Sequence, residues 1–385
     1  MNLSAWLFIE REQMANFTVR PVLTKADTKK FIDFIYTFYN NDPNWVPPLR
    51  MDREKLIDKK KNPFYKHSLM ELFLAERDGK VIGRIGAIVN DNHNREHNDK
   101  VGFFGFFECV NEQDVANALF DEAKKYLRSK GMNAMRGPAS PSVNDEYGLL
   151  IEGFDSPPVV LMTYNPEYYG TLIQNYGLKK EKDLYAYIMD QHTVYTDKFN
   201  RANEIVKQRN SLTFRTINMK DFANEVRRIK DVYNGAWQYN WGAVAMTDEE
   251  FDALANDLKM VVEPELVLIA ESKGKMVGFG LSLPDINVRL KENRNGGLIG
   301  GLLRLLVFKK KVDLVRVIVL GVLPEYQKTG AAGVLFYETA IRAKKLGYRY
   351  GEASWILEDN VMMNRAAEAM QGKIYKKYRI YQQEI

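Results

Sequence analysis

Hydrophobic residues recur along the 385-residue chain in two alternating rhythms. Short β-branched and aromatic runs with period two predict strands, and apolar positions spaced by three and four predict helices. Residues 17–22 read as a strand. Thr24 is a candidate N-cap for a helix carrying Phe31, Phe34, Ile35 and Phe38, and a polar helix follows around 51–59. The runs 71–76 and 80–88 form a hairpin across Arg77-Asp78-Gly79. A strand at 101–107 then leads into an amphipathic helix over 112–130 with Val115, Leu119, Ala123, Tyr126 and Leu127 on one face. A short helix at 166–176 and a strand at 184–189 complete this set.

The same order then recurs. A polar helix around 196–208 connects to a strand at 211–217 and a helix carrying Phe222, Val226, Ile229 and Val232; Thr247-Asp248-Glu249-Glu250 is a capping box for the next helix. A second hairpin, 266–270 with 275–283, repeats the Leu-x-x-Ala-Glu, turn, Gly-Lys-x-x-Gly pattern of the first. Strand 315–322, helix 334–345, strand 347–356, a helix over Met363, Ala366, Ala367 and Met370, and strand 374–381 follow. The chain is therefore expected to be α/β, with one domain over 1–190, a connector helix over 191–209 and a second domain over 210–385 interrupted by an insertion at about 285–311.

Chemistry concentrates where the strand ending at Val322 passes through Leu323-Pro324-Glu325-Tyr326 into Gln327-Lys328-Thr329-Gly330-Ala331-Ala332-Gly333 and then a helix. A helix N-terminus offers unpaired amides and a positive dipole end, and these small residues would let an anion approach them closely. The loop fits neither a Walker sequence nor a dinucleotide fingerprint. It resembles the Gln/Arg-x-x-Gly-x-Gly/Ala signature of the GNAT (GCN5-related) acyl-CoA N-acyltransferases, and the order of elements in both halves resembles that family too. The resemblance implies two tandem GNAT-like domains, each a twisted mixed sheet flanked by helices. It also implies acetyl-CoA or another acyl-CoA as cosubstrate, with its pyrophosphate on Gln327, Lys328, Thr329, Gly330, Ala331, Ala332 and Gly333. Pantetheine would lie along Leu320, Gly321 and Val322, and Asn360 would contact it, although Asn360 equally suits a helix cap.

The first copy departs from this signature. Its strand enters the helix through Asn111-Glu112-Gln113-Asp114, which is acidic and lacks the glycines, so a structural or acceptor-binding role is expected there. In the second copy the family's tyrosine on the last helix would fall near Ala367. Glu352 is the candidate base and Tyr375 the candidate acid, in direct attack of an amine on the thioester without a metal. Trp237, Tyr239 and Trp241, in a loop that often covers the acceptor in this family, and Asn144 and Tyr147, in a polar Gly/Pro-rich loop, are candidate acceptor contacts. Each of these aromatic residues also suits plain packing. A small-molecule or peptide amine is the implied acceptor, and a catalytically silent CoA-binding or ligand-recognition protein is the competing reading.

Composition narrows this modestly. Apolar residues are 45% and the net charge is +5, which fits a globular chain and gives no reason to expect nucleic acid. The single cysteine, Cys109, fits a reducing cytoplasm. The insertion's run from Leu298 to Phe308 contains Arg304 and is too short to span a bilayer; a lid packed across the domain boundary is expected, and membrane contact is not.

Overall fold

The computed structural model describes residues 16–194, 197–237, 240–259, 261–308 and 312–385. The first half runs β1 (Thr18–Pro21), α1 (Lys25–Phe38), α2 (Arg50–Ile57), β2 (Ser68–Arg77), β3 (Lys80–Asn90), α3 (Asp91–His97), β4 (Val101–Cys109), α4 (Gln113–Ser129) and β5 (Ala134–Gly137). Short strands β6 (Ala139–Ser140), β7 (Glu146–Tyr147) and β8 (Leu149–Glu152), α5 (Tyr169–Asn175) and β9 (Lys179–Asp190) follow. After α6 (Gln191–Val194) and α7 (Asp197–Arg209) come β10 (Leu212–Thr216), α8 (Phe222–Trp237), α9 (Asp248–Leu258), β11 (Val267–Ser272) and β12 (Lys275–Pro284). The chain ends with α10 (Asn287–Leu290), α11 (Leu298–Phe308), β13 (Leu314–Val322), α12 (Ala331–Lys345), β14 (Tyr350–Leu357), α13 (Val361–Ala369) and β15 (Lys373–Glu384).

Local chemistry accounts for most of these elements. The Thr24 and Thr247 side chains accept from the backbone N–H three residues on, and Asp27 and Glu250 close both capping boxes. Both hairpins turn on two left-handed residues, Asp78-Gly79 and Lys273-Gly274, the backbone that matches strand twist. α4 buries Val115, Ala116, Leu119, Phe120, Ala123 and Leu127 against the sheet, where Phe104 and Phe107 pack on Phe120.

Long-range pairing is where the halves become one object. Among the described residues a 13-stranded mixed sheet has the order β1-β2-β3-β4-β5-β15-β9-β14-β13-β12-β11-β10, with β8 also on β15. β9, which ends the first half, pairs antiparallel with β14 of the second, from Tyr350↔Asp190 to Leu357↔Leu184. β15, which ends the second half, pairs with β5 of the first, from Tyr381↔Gly137 to Glu384↔Ala134. The two copies have thus exchanged their last strands. Arg379 locks the crossing by a two-pronged bond to Asp183, at 2.7 and 2.9 Å. The insertion is tied to the first half as well: Arg50 N–H donates to Gly296 O at 2.9 Å, and Arg294 Nη1 to Asp42 O at 3.1 Å.

Because β15 serves both copies, Ile380→Ala, which empties a fully buried site, is expected to cost roughly 2–5 kcal/mol. Urea unfolding should remain one transition, seen alike by probes in either half. Two separated transitions would show that the halves fold independently.

Candidate active site

β13 and β14 are parallel neighbours only over Leu314↔Tyr350, Val315↔Gly351, Arg316↔Glu352 and Val317↔Ala353. Both strands continue past that point, β13 to Val322 and β14 to Leu357, so they diverge as a V. Two irregularities drive the divergence. The β12–β13 ladder slips between Leu281↔Val319 and Ser282↔Val317, which leaves Ile318 as the extra residue of a bulge. On β14 the pairing to β9 skips from Ala353 to Ile356, and Trp355 takes φ 51°. Backbone groups on the inner edges of the V are left for a ligand to pair with.

Leu320, Gly321 and Val322 line this slot, as do Gln327, Ala332 and Asn360. Gln327 Nε2 donates to Val322 O at 3.2 Å, tying the strand end to the loop. Gly330 sits at φ 90° and turns the 3-10 segment Pro324–Thr329 into α12. A Cβ at Gly333 would meet nothing within 4 Å, so that side of the first turn of α12 is open, while Ala331 on the other side is fully buried. That arrangement fits a pyrophosphate on first-turn amides. Lys328, Thr329, Gly330, Ala331 and Gly333 flank the slot without lining it, and Thr329 Oγ1 is committed to Tyr326 O and the Ala331 amide. Asn360 caps α13, accepting from Met363 N at 3.2 Å, while also lining the slot.

A buried polar cluster lies at the vertex. Arg316, 2% exposed, donates through Nη1 to Val160 O at 2.6 Å and through Nε to Ser354 Oγ at 3.0 Å. Ser354 Oγ donates to Glu352 Oε2 at 3.1 Å, and Arg316 Nε lies 3.5 Å from the same oxygen. Glu352 is fully buried; burial pushes its carboxyl up to about 7, with Arg316 and then the Ser354 bond opposing. Its Oε1 and the hydroxyls of Tyr375 and Tyr378 are buried without a hydrogen bond of good geometry, and burial raises both phenols well above their ordinary range. Arg316 and Ser354 line the cavity, and Glu352 and Tyr375 stand one layer behind them. Ala367 is buried in the packing around Tyr187 and Met189.

No protein-family model matches the chain. Protein YghO of Escherichia coli (strain K12) is 34% identical over 392 residues, covering 100% of both chains. Bacterial ceramide synthase of Caulobacter vibrioides (strain NA1000 / CB15N) is 33% identical over 384 residues, 96% of this chain and 98% of that one. Among solved structures, the tandem GNAT protein from the clavulanic acid biosynthesis pathway superposes with a TM-score of 0.56 at 10% identity, over 96% of this chain and 98% of that one. A GCN5-related N-acetyltransferase from Sphaerobacter thermophilus gives 0.52 at 12% identity, over 96% of each chain. The chain belongs to the tandem GNAT family.

In this GNAT protein the slot and the chamber it opens into form one cavity of about 1880 Å³ that both halves line. Trp237 is the last residue of α8. A Cβ on Gly321 would lie 2.4 Å from its ring, so it forms the wall of the slot, in contact with Phe279 as well. Trp241 stands at the chamber under Arg136 and Lys182, 5.1 and 5.4 Å from the ring. Tyr239 lies outside the described residues. Asn144 bridges the halves: it donates to Val244 O at 3.1 Å and accepts from Tyr233 Oη at 2.9 Å. Tyr147 lines the chamber with its hydroxyl unpaired. Sequence reasoning passed over Asp145 between them. Its only side-chain donor is Ser142 Oγ, at 2.7 Å, and burial followed by the charges of Glu146 and Glu250 pushes it up to about 7. Asp145 nevertheless keeps open surface, because that surface faces the chamber while protein surrounds it more widely.

The corresponding gap in the first copy is filled by its own chain. β4 and β5 pair only to Phe103↔Arg136. Beyond that, Ser140 Oγ accepts from the Phe106 amide at 2.8 Å, and a Cβ on Gly105 would lie 1.8 Å from Ala139 O. The segment Ala139–Ser140 thus occupies the strand edge at Gly105 and Phe106 that the second copy leaves open.

Gly333→Asp separates stability from ligand binding. An acidic residue in the first turn of α12 suits the helix dipole and meets open space, so the melting temperature should hold or rise slightly. Acyl-CoA affinity should fall by roughly tenfold or more, because a phosphate seated on the first-turn amides would meet the new charge within the same turn. Titration calorimetry of the folded variant reads both, and unchanged affinity would place the phosphates elsewhere.

Proposed function

We propose that this chain transfers an acyl group from acyl-CoA to the amine of a lipophilic amino alcohol, an N-acylation of the kind that makes a ceramide. The observation that carries this reading is the cavity that slot and chamber form together, whose volume of about 1880 Å³ is nearly twice the upper end of the ordinary range for ligand pockets. Pantetheine in the slot, an acetyl group and a small amine would together leave much of that volume unfilled. The 33% identical relative, a bacterial ceramide synthase, supports the same acceptor class and a longer acyl chain than acetyl.

The roles follow from position. Pantetheine adds to the inner edge of β13 along Leu320, Gly321 and Val322, with its phosphates on the α12 N-terminus. The thioester carbonyl then lies by the amides of β13 beyond Val317, which stabilise its oxygen as charge develops. The neutral amine attacks the carbonyl carbon, a C–N bond forms and the C–S bond breaks. Ser354 Oγ accepts the proton the amine sheds and passes its own to Glu352, and the relay then runs in reverse, Glu352 reprotonating Ser354 as Ser354 gives a proton to the departing thiolate. Amine and thioester thus become amide and thiol. Tyr375, unable to ionise at ordinary pH, supports the Glu352 carboxylate from behind. Asp145 and Tyr147 hold the polar end of the acceptor.

Incubation with acyl-CoAs of graded length and a long-chain amino alcohol, followed by mass spectrometry of the lipid fraction, tests the reaction. Acyl-CoA that binds without any amide product would favour the catalytically silent reading.

Two carboxyls lifted to about 7 give the rate law a signature. General base action needs Glu352 ionised, so kcat/KM should rise with pH through a limb near 7. Ser354→Ala and Glu352→Gln should each lower kcat, Glu352→Gln by roughly 10²–10⁴ with that limb lost. Asp145→Asn should keep the limb and raise KM for the amine. A Glu352→Gln enzyme that is folded and retains both rate and limb would remove Glu352 from the chemistry.

A further inference from the structure

α11 is apolar on two sides at once. Leu298, Leu302 and Leu305, at i, i+4 and i+7, line the chamber. Ile299, Leu303 and Leu306 repeat that spacing one residue on and are 76, 57 and 77% exposed, with Leu306 at the edge where the two faces meet, since it also lines the chamber. The helix sits on its glycines: a Cβ at Gly301 would lie 2.7 Å from a Leu49 methyl of the first half, and one at Gly300 would lie 2.9 Å from Asn293. Its leucine face is thereby presented outward. Other exposed apolar side chains also line the chamber, namely Met51, Leu161 and, at the start of α13, Met362. The chamber mouth is thus rimmed by apolar groups from both halves, a patch that monomeric proteins seldom leave bare.

Charge identifies what covers it. Residues 286–311 contain seven basic residues and one acidic residue, ending in Lys309-Lys310-Lys311, so the rest of the chain is close to neutral. An apolar helix among clustered cations is the composition of a segment that lies in an anionic lipid interface. α11 has only 11 residues, and no described helix is long and apolar enough to cross a membrane.

We infer that α11 seats the chamber mouth on an anionic membrane surface, with Ile299, Leu303 and Leu306 entering the headgroup layer, so that a lipophilic acceptor passes from the bilayer into the chamber. Membrane contact, ranked below a lid on sequence grounds, follows from where the fold places the insertion. The docking stands on the rim and its charge; what enters the mouth rests on the acyl-transfer reading above.

Vesicle co-sedimentation of the full chain, without acyl-CoA or amine, tests the docking apart from the chemistry. Binding is expected to vesicles of phosphatidylcholine with phosphatidylglycerol, and should weaken about tenfold or more on pure phosphatidylcholine or in high salt. Ile299→Ser/Leu303→Ser should lose it while keeping the melting temperature and acyl-CoA affinity of the parent. A parent chain that stays in the supernatant with anionic vesicles at low salt overturns the inference. So does a dimer, seen by light scattering, that the double substitution converts to monomer, because the face would then pair two copies. Loss of acyl transfer to every amine tried, with vesicle binding intact, would instead count against the proposed reaction alone.

Discussion

A β-strand has two edges, and the candidate site depends on β14 losing its neighbour on one edge while keeping the neighbour on the other. Up to Ala353 it holds both β13 and β9; beyond, Ile356 and Leu357 stay with Tyr185 and Leu184 of β9 and leave β13 alone. β9 comes from the other copy. The exchanged strand therefore does more than join the halves, since it holds the far wall of the slot away from the near one. The bulge at Ile318 and the positive φ of Trp355 let each wall bend without giving up its own outer ladder.

What was legible in the sequence was local. Capping boxes, Asp-Gly and Lys-Gly turns and the small-residue loop after Val322 each write their geometry into a few adjacent residues, and the structure forms all of them. The strand exchange is a contest between equally good β-edges far apart in the chain, which no window of sequence records. Ser354 looked like one more strand residue. Arg316 did carry a signal, as a lone cation inside Val315-Arg316-Val317, because a charge within a β-branched run must find a buried partner. Asp145 sat in a loop that was noticed for its glycines and prolines. Its significance comes from the chamber around it, which only the assembled halves create.

Trp237 shows how one side chain can satisfy both an expectation and its bland alternative. It packs as a core residue should, against Phe279 and Tyr233, yet the far edge of its ring is the surface on which Gly321 lies. Only glycine at 321 lets β13 approach that closely. The slot wall is thus core packing seen from the other side, and an acceptor would meet the chamber floor beside it.

The two copies divide the work by what fills the same gap. In the first, the chain closes it from within: Ser140 satisfies the Phe106 amide, and Ala139 takes the space over Gly105. A closed gap needs no ligand to satisfy its backbone, so this copy was free to turn its next loop, with Asn144, Asp145 and Tyr147, toward its partner. In the second, the gap stays open and Arg316, Ser354 and Glu352 crowd its vertex. The desolvation that keeps Glu352 near neutrality comes from the same packing that buries the Arg316 contact to Val160 O, a carbonyl of the first copy. Each copy therefore supplies what the other lacks, and the vertex acquires its proton affinity only where they meet.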